Sequence, residues 1–151
     1  MLSVFSHYDH IQIVNLPQRT DRRRAMEREI ANLNISAPVS YFSAIKMEDR
    51  GPFLRVGSHG AYLSHLEILK DAAHRGGSVL ILQDDCQFLP EARDFQLPAG
   101  TDIFYGGYSA SDPDDLHDSN IIGAHFMGFS AAAAGLSLIH ISEPTRLRRI
   151  S

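Results

Sequence analysis

The sequence predicts an α/β domain of three layers, a sheet covered by helices on both faces. Three observations carry that expectation. Segments of strand and helix character alternate along the chain, the pattern of packed βαβ units. Val79-Leu80-Ile81-Leu82 is an unbroken apolar run between Gly76-Gly77 and Asp84-Asp85, which suits a central parallel strand buried on both faces. The segment before it has apolar residues at helical spacing and ends at that Gly-Gly pair.

Each element follows from its residues. Ile11-Gln12-Ile13-Val14-Asn15 alternates and stops at Leu16-Pro17, so a first strand ends at Asn15. Thr20 or Asp21 can cap a helix reaching about Asn32, with Ala25, Met26, Ile30 and Leu33 on one side. Residues 39–42 form a short second strand, and residues 46–56, polar and containing Gly51-Pro52, a loop. Ser58 can cap a second helix running to about Arg75, its buried stripe formed by Tyr62, Leu66, Leu69 and Ala73. Residues 102–105 suggest another strand and residues 112–118 an acidic loop. Residues 124–134, apolar and small, can open a strand or a helix.

Composition narrows the function classes. The chain is 44% hydrophobic and 21% charged, ordinary for a globular domain and unlike collagen, mucin or coiled coil. Its net charge of -4 argues against a general nucleic-acid binder, which carries a basic excess. One cysteine, Cys86, excludes an intrachain disulfide and reads as a small buried residue. The first ten residues lack the apolar core of a signal peptide, and no apolar run approaches the roughly 20 residues of a membrane span. A cytoplasmic protein, at most peripheral at the inner membrane, is the expectation.

Three constellations can carry chemistry. Gln83-Asp84-Asp85 follows the buried strand, and ligands of open α/β sheets bind beyond the carboxyl ends of strands. Two adjacent carboxylates there repel unless a cation intervenes, and a hard divalent ion shared with substrate phosphates is one solution; a solvated turn is the other. Residues 15–23 leave the first strand at the same edge, where Arg19 and the first N–H groups of the helix can meet an anion, unless the segment is simply a solvated basic turn. His59 and His65, in Gly57-Ser58-His59-Gly60-Ala61-Tyr62-Leu63-Ser64-His65, lack the spacing of a helical zinc pair and read first as packed or hydrogen-bonded histidines. Phosphate-loop, dinucleotide and nucleophile-elbow motifs are absent from the sequence.

In order, these segments read N-L-x-x-R-x-D-R-R at residues 15–23, G-x-x-L-S-H at 60–65 and L-x-L-x-D-D at 80–85. Together they resemble glycosyltransferase family 25, which contains bacterial lipopolysaccharide and lipooligosaccharide galactosyltransferases and related collagen galactosyltransferases. Residues 101–106 are similar to that family's D-I-x-x-x-G strand, and residues 123–126, less closely, to its G-x-H-A-Y segment. The resemblance implies a GT-A-like fold, Mn²⁺ (or Mg²⁺), a nucleotide-sugar donor such as UDP-galactose, and a glycan or lipid-linked glycan acceptor. It maps the metal motif onto Gln83, Asp84 and Asp85, with Gln83 where the family has Glu. It makes Asn15, Arg19, Arg22, Ser64 and His65 the candidates for donor binding. An inverting transfer also needs a carboxylate base, and Asp112, Asp114, Asp115 and Asp118 qualify only as acids. Two other readings share the paired acids. One is a metal-dependent nucleotidyltransferase, which does not require the G-x-x-L-S-H block; the other is a degenerate transferase acting as a binding module.

Residues 136–146, LSLIHISEPTR, resemble the one-frame translation of an adapter used in sequencing-library preparation, and residues 147–151 its flank. On that expectation residues 1–135 are an incomplete transferase domain, truncated at its C-terminus and by itself inactive. Residues 136–151 are then a non-native tail.

Overall fold

The computed structural model describes residues 3–118, 121–123 and 125–141. Ala124 and the tail residues 142–151, named in the expectations above, lie outside them. A short helix α1 (Val4–His7) leads into strand β1 (His10–Asn15), helix α2 (Thr20–Ala31) and strand β2 (Val39–Ser43). Helix α3 (Val56–Arg75), strand β3 (Val79–Gln83) and a 3-10 turn (Pro90–Asp94) follow. Strands β4 (Ile103–Tyr105), β5 (Ser109–Ala110), β6 (Ile121–Ile122) and β7 (Phe126–Phe129) precede helix α4 (Ala131–Ile141). The main sheet has the order β2-β1-β3-β7-β4, and β5 and β6 form a separate ribbon.

The fold is mixed α/β. Strands β2, β1 and β3 are parallel, whereas β7 runs antiparallel to both β3 and β4. The run Val79–Leu82 is central and fully buried, as its apolar sequence requires, but only one of its neighbours is parallel. Alternation sorts its side chains onto two faces. Leu80 and Leu82 join Ile11 and Ile13 beneath Met26 of α2 and Phe5 of α1. Val79 and Ile81 join Val14, Ile68, Leu69 and Ala72 of α3, and Ala133 and Ala134 of α4. The central strands β1 and β3 are therefore covered on both faces. Each fully buried aliphatic side chain of β3 contributes about 1.5–3 kcal/mol of burial energy.

Helix α2 starts where its sequence suggests, but Arg19 occupies the N-cap position and no side chain caps it; Asp21 sits in the first turn. Helix α3 begins two residues before Ser58, at Val56, also without a side-chain cap, and ends in a left-handed Gly76. Its deeply buried face is Gly60, Ser64, Ile68, Leu69 and Ala72. Tyr62, Leu66 and Ala73, expected in the stripe, are only half-buried. Small residues occupy the N-terminal half of the buried face, at Gly60 and Ser64, because α3 lies close there against the chain leaving β2. A Cβ on Gly60 would stand 2.3 Å from the Ile45 carbonyl oxygen. Residues 124–134 divide into β7 and the start of α4, and α4 continues without a break past residue 135.

Candidate functional site

Chain order and strand order together locate the site. From β1 the chain crosses through α2 to β2 on one side, then through α3 over the opposite face to β3 on the other. The direction of winding reverses between β1 and β3, and their carboxyl ends open into a crevice there. Asn15 ends β1, and Asp84 follows β3.

The residues after β3 form a turn closed by Cys86 N–H donating to the Gln83 carbonyl at 3.1 Å. That turn gives the two acids different surroundings. Asp84 points inward, with a side chain 10% exposed. Asn15 Nδ2, itself buried, donates to Asp84 Oδ2 at 2.9 Å, and Arg22 donates to Asp84 Oδ1 at 3.3 Å. The Asp84 N–H donates to the Val14 carbonyl at 3.2 Å, tying the turn to β1. Asp85 is exposed. Cys86 is buried and donates its thiol to the His125 carbonyl; burial pushes the thiol pKa up to about 12.

A cleft of about 350 Å³ opens over this network. Gln83 lines it from the end of β3, Asp84 from the turn that follows, Arg22 from α2, Ile45 and Lys46 from the chain after β2, and Gly57, Gly60 and Ser64 from α3. A larger, mostly apolar groove of about 1030 Å³ adjoins it and shares Gly57, Ala61 and Gln83. Phe53, Tyr62, His65, Tyr105 and Met127 are among its walls.

The structure thus brings together Asn15, Arg22, Ser64, Gln83 and Asp84, whereas Asp85 is exposed and lies outside the cleft lining. Two candidates have other engagements. The Arg19 guanidinium forms a two-point ion pair with Asp21, at 2.8 and 3.0 Å, and lies outside the cleft lining. Their mutual hydrogen bond holds the Asp21 carboxyl well below its usual range and raises Arg19. The contribution of Arg19 to the site is its carbonyl, which accepts from Asn15 Nδ2 at 3.3 Å. Ser64 is fully buried; its hydroxyl accepts from Ile45 N–H at 2.9 Å and donates to the Gly60 carbonyl at 2.8 Å. It shapes the cleft wall and holds the strand-to-helix connection in place.

The histidines are hydrogen-bonded to backbone. His65 Nδ1 lies 2.8 Å from the Ala61 carbonyl, one turn back on α3. His59 Nδ1 lies 2.8 Å from the Asp49 carbonyl, and its ring stacks on Phe53, fixing the 46–55 loop against α3. The residue missed by sequence reasoning is Lys46. Its only signal is position, three residues after β2, at the edge where the other two parallel strands also end.

No protein-family model matches the chain, and no curated protein does. Among the described residues no helix is long and apolar enough to cross a membrane.

Proposed function

We propose that the chain is a hexosyltransferase of GT-A type, resembling glycosyltransferase family 25, acting in lipopolysaccharide or other cell-surface glycan synthesis. It moves a sugar, galactose, from a UDP-sugar to a glycan or lipid-linked glycan. The observation that carries the reading is the Asn15–Asp84–Arg22 network at the β1/β3 crevice, with the exposed Asp85 next in sequence. Crevices at this place in open α/β sheets take nucleotides.

The donor set suits a hard divalent cation shared with substrate phosphates, which needs only one or two protein carboxylates. Asp84 has both oxygens engaged by Asn15 and Arg22, so Asp85 is the main ligand for Mn²⁺ or Mg²⁺, with the Gln83 side-chain oxygen and Asp84 assisting. When bound, the cation offsets charge developing on the nucleoside diphosphate as it leaves. The chain's own residues do the rest. Asn15 holds Asp84 in one orientation, Arg22 brings positive charge to the cleft, and the Ser64–Ile45 contact keeps the cleft wall in register.

The test is calorimetric titration of the protein with UDP-galactose and UDP, with and without Mn²⁺. Millimolar or tighter binding that strengthens with Mn²⁺, and loses that response in Asp85→Ala, is the expected result. No binding of either nucleotide overturns the reading.

A further inference from the structure

The cleft has a charge arrangement that its sequence motifs leave unassigned. Two cationic residues line it from separate elements, Arg22 from the first turn of α2 and Lys46 from the chain after β2. Asp84 is the only carboxylate among the lining residues. It is already matched, one oxygen by Asn15 and the other by Arg22. Lys46 is exposed and makes no hydrogen bond or ion pair among the described residues. A lysine that lines a cleft, with no ion-pair partner among the described residues, leaves the lining residues with a net positive charge.

The two contacts to Asp84 are also unequal. Asn15 holds one oxygen at 2.9 Å from a buried position. Arg22 reaches the other at 3.3 Å, with its own side chain 42% exposed. A charge-assisted N–H···O⁻ contact at full strength is about 2.7–2.9 Å. Arg22 is therefore loosely held. It is free to turn a second face of its guanidinium toward a ligand, while Asn15 keeps Asp84 in place.

We propose that Lys46 and Arg22 form a two-sided clamp for the diphosphate of a nucleotide ligand, Arg22 bridging from Asp84 to one phosphate and Lys46 meeting the other from the opposite wall. The clamp rests on the transferase reading only for the identity of the nucleotide. Its own requirement is a pair of linked phosphates, and a volume of about 350 Å³ accommodates that group together with a ribose. Lys46 is kept at the wall by its neighbour, since the Ile45 N–H is anchored to Ser64 Oγ.

The test measures binding by calorimetry at low salt with two probes, inorganic pyrophosphate and UDP-galactose. The proteins are wild type, Lys46→Ala, Lys46→Arg, Arg22→Ala and Lys70→Ala. Lys70 is an exposed lysine on α3 paired with Glu67, away from the cleft lining, and serves as the charge control. We expect Lys46→Ala and Arg22→Ala each to weaken pyrophosphate binding about tenfold or more, Lys46→Arg to restore most of it, and Lys70→Ala to leave it unchanged. The dependence of binding on salt should become shallower in both alanine variants. Lys46 has no partner to lose, so circular dichroism and thermal melting of Lys46→Ala should match wild type. Pyrophosphate binding that is absent in wild type, or equal in wild type and Lys46→Ala, overturns the clamp. Binding of pyrophosphate without UDP-galactose upholds the clamp and removes the transferase reading; binding of UDP-galactose that is indifferent to both variants does the reverse.

Discussion

Replacing Gly60 by alanine tests how the site is held. In an ordinary helix interior, Gly→Ala gains about 1 kcal/mol, because glycine has more backbone freedom to lose. Gly60 lies in such an interior, yet a Cβ there would stand 2.3 Å from the Ile45 carbonyl oxygen, against an ordinary contact of 3.4–4 Å. The obstacle is backbone rather than the end of a flexible side chain, so α3 and the chain after β2 must separate by about 1 Å. Overpacking of this kind costs about 1–3 kcal/mol. The same movement stretches the Ile45 N–H···Oγ Ser64 hydrogen bond, which contributes about 0.5–1.5 kcal/mol. The balance is a net loss of about 1–3 kcal/mol, or roughly 3–9 °C in melting temperature for a chain of this size. Urea denaturation followed by circular dichroism measures it directly. Ser64→Ala should lose about 1 kcal/mol or more by stranding the Ile45 N–H. The double variant should lose less than the two combined, because both act through one piece of backbone. A Gly60→Ala protein as stable as wild type, or more so, would refute the close-packed wall.

Other outcomes follow from the same geometry. Asp85→Ala should leave stability within about 0.5 kcal/mol, as for exposed substitutions, while removing the Mn²⁺ response of nucleotide binding; Gln83→Glu should tighten Mn²⁺ binding by supplying a charge. Arg22→Ala should weaken nucleotide binding, whereas Arg19→Ala, whose guanidinium faces Asp21, should change it less than twofold; equal losses would show that the cleft extends to Arg19. Cys86 should resist thiol reagents in the native protein at pH 8 and react on denaturation, since burial raises its pKa to about 12; rapid native labelling would contradict its placement. Burial, with Arg75 next, lowers the His10 pKa from 6.5, so the fold favours neutral His10. Its contribution to stability is present above pH 6.5 and is lost as pH falls toward the folded value. Between pH 7.5 and 5, wild type should therefore lose more stability than His10→Asn, as read from urea midpoints.

Much of this protein was determined by local chemistry that a linear reading detects. The four-residue apolar run at 79–82, bounded by Gly76-Gly77 and Asp84-Asp85, already suited a strand buried on both faces. Asn15 ends one parallel strand and Asp84-Asp85 follow another, so their position at one edge of the sheet was legible from the chain alone. The Gly76-Gly77 stop of α3 was legible too, because a left-handed C-cap needs glycine. What lay beyond the sequence depends on distances between segments far apart in the chain. Only the packed structure decides that the two adjacent acids divide, one oriented by Asn15 from 69 residues away and the other left to solvent. The same holds for the arginines, where Asp21 captures Arg19 and leaves Arg22 to face the cleft. Tertiary packing also turned the buried face of α3, which keeps the expected Leu69 but takes in Gly60, Ser64, Ile68 and Ala72 instead of Tyr62, Leu66 and Ala73. Hydrophobic periodicity favours large side chains, but at Gly60 and Ser64 the approach of Ile45 leaves room only for small ones. Lys46 shows no pattern in the sequence, because a lone lysine after a strand acquires meaning only from the cleft it lines together with Arg22.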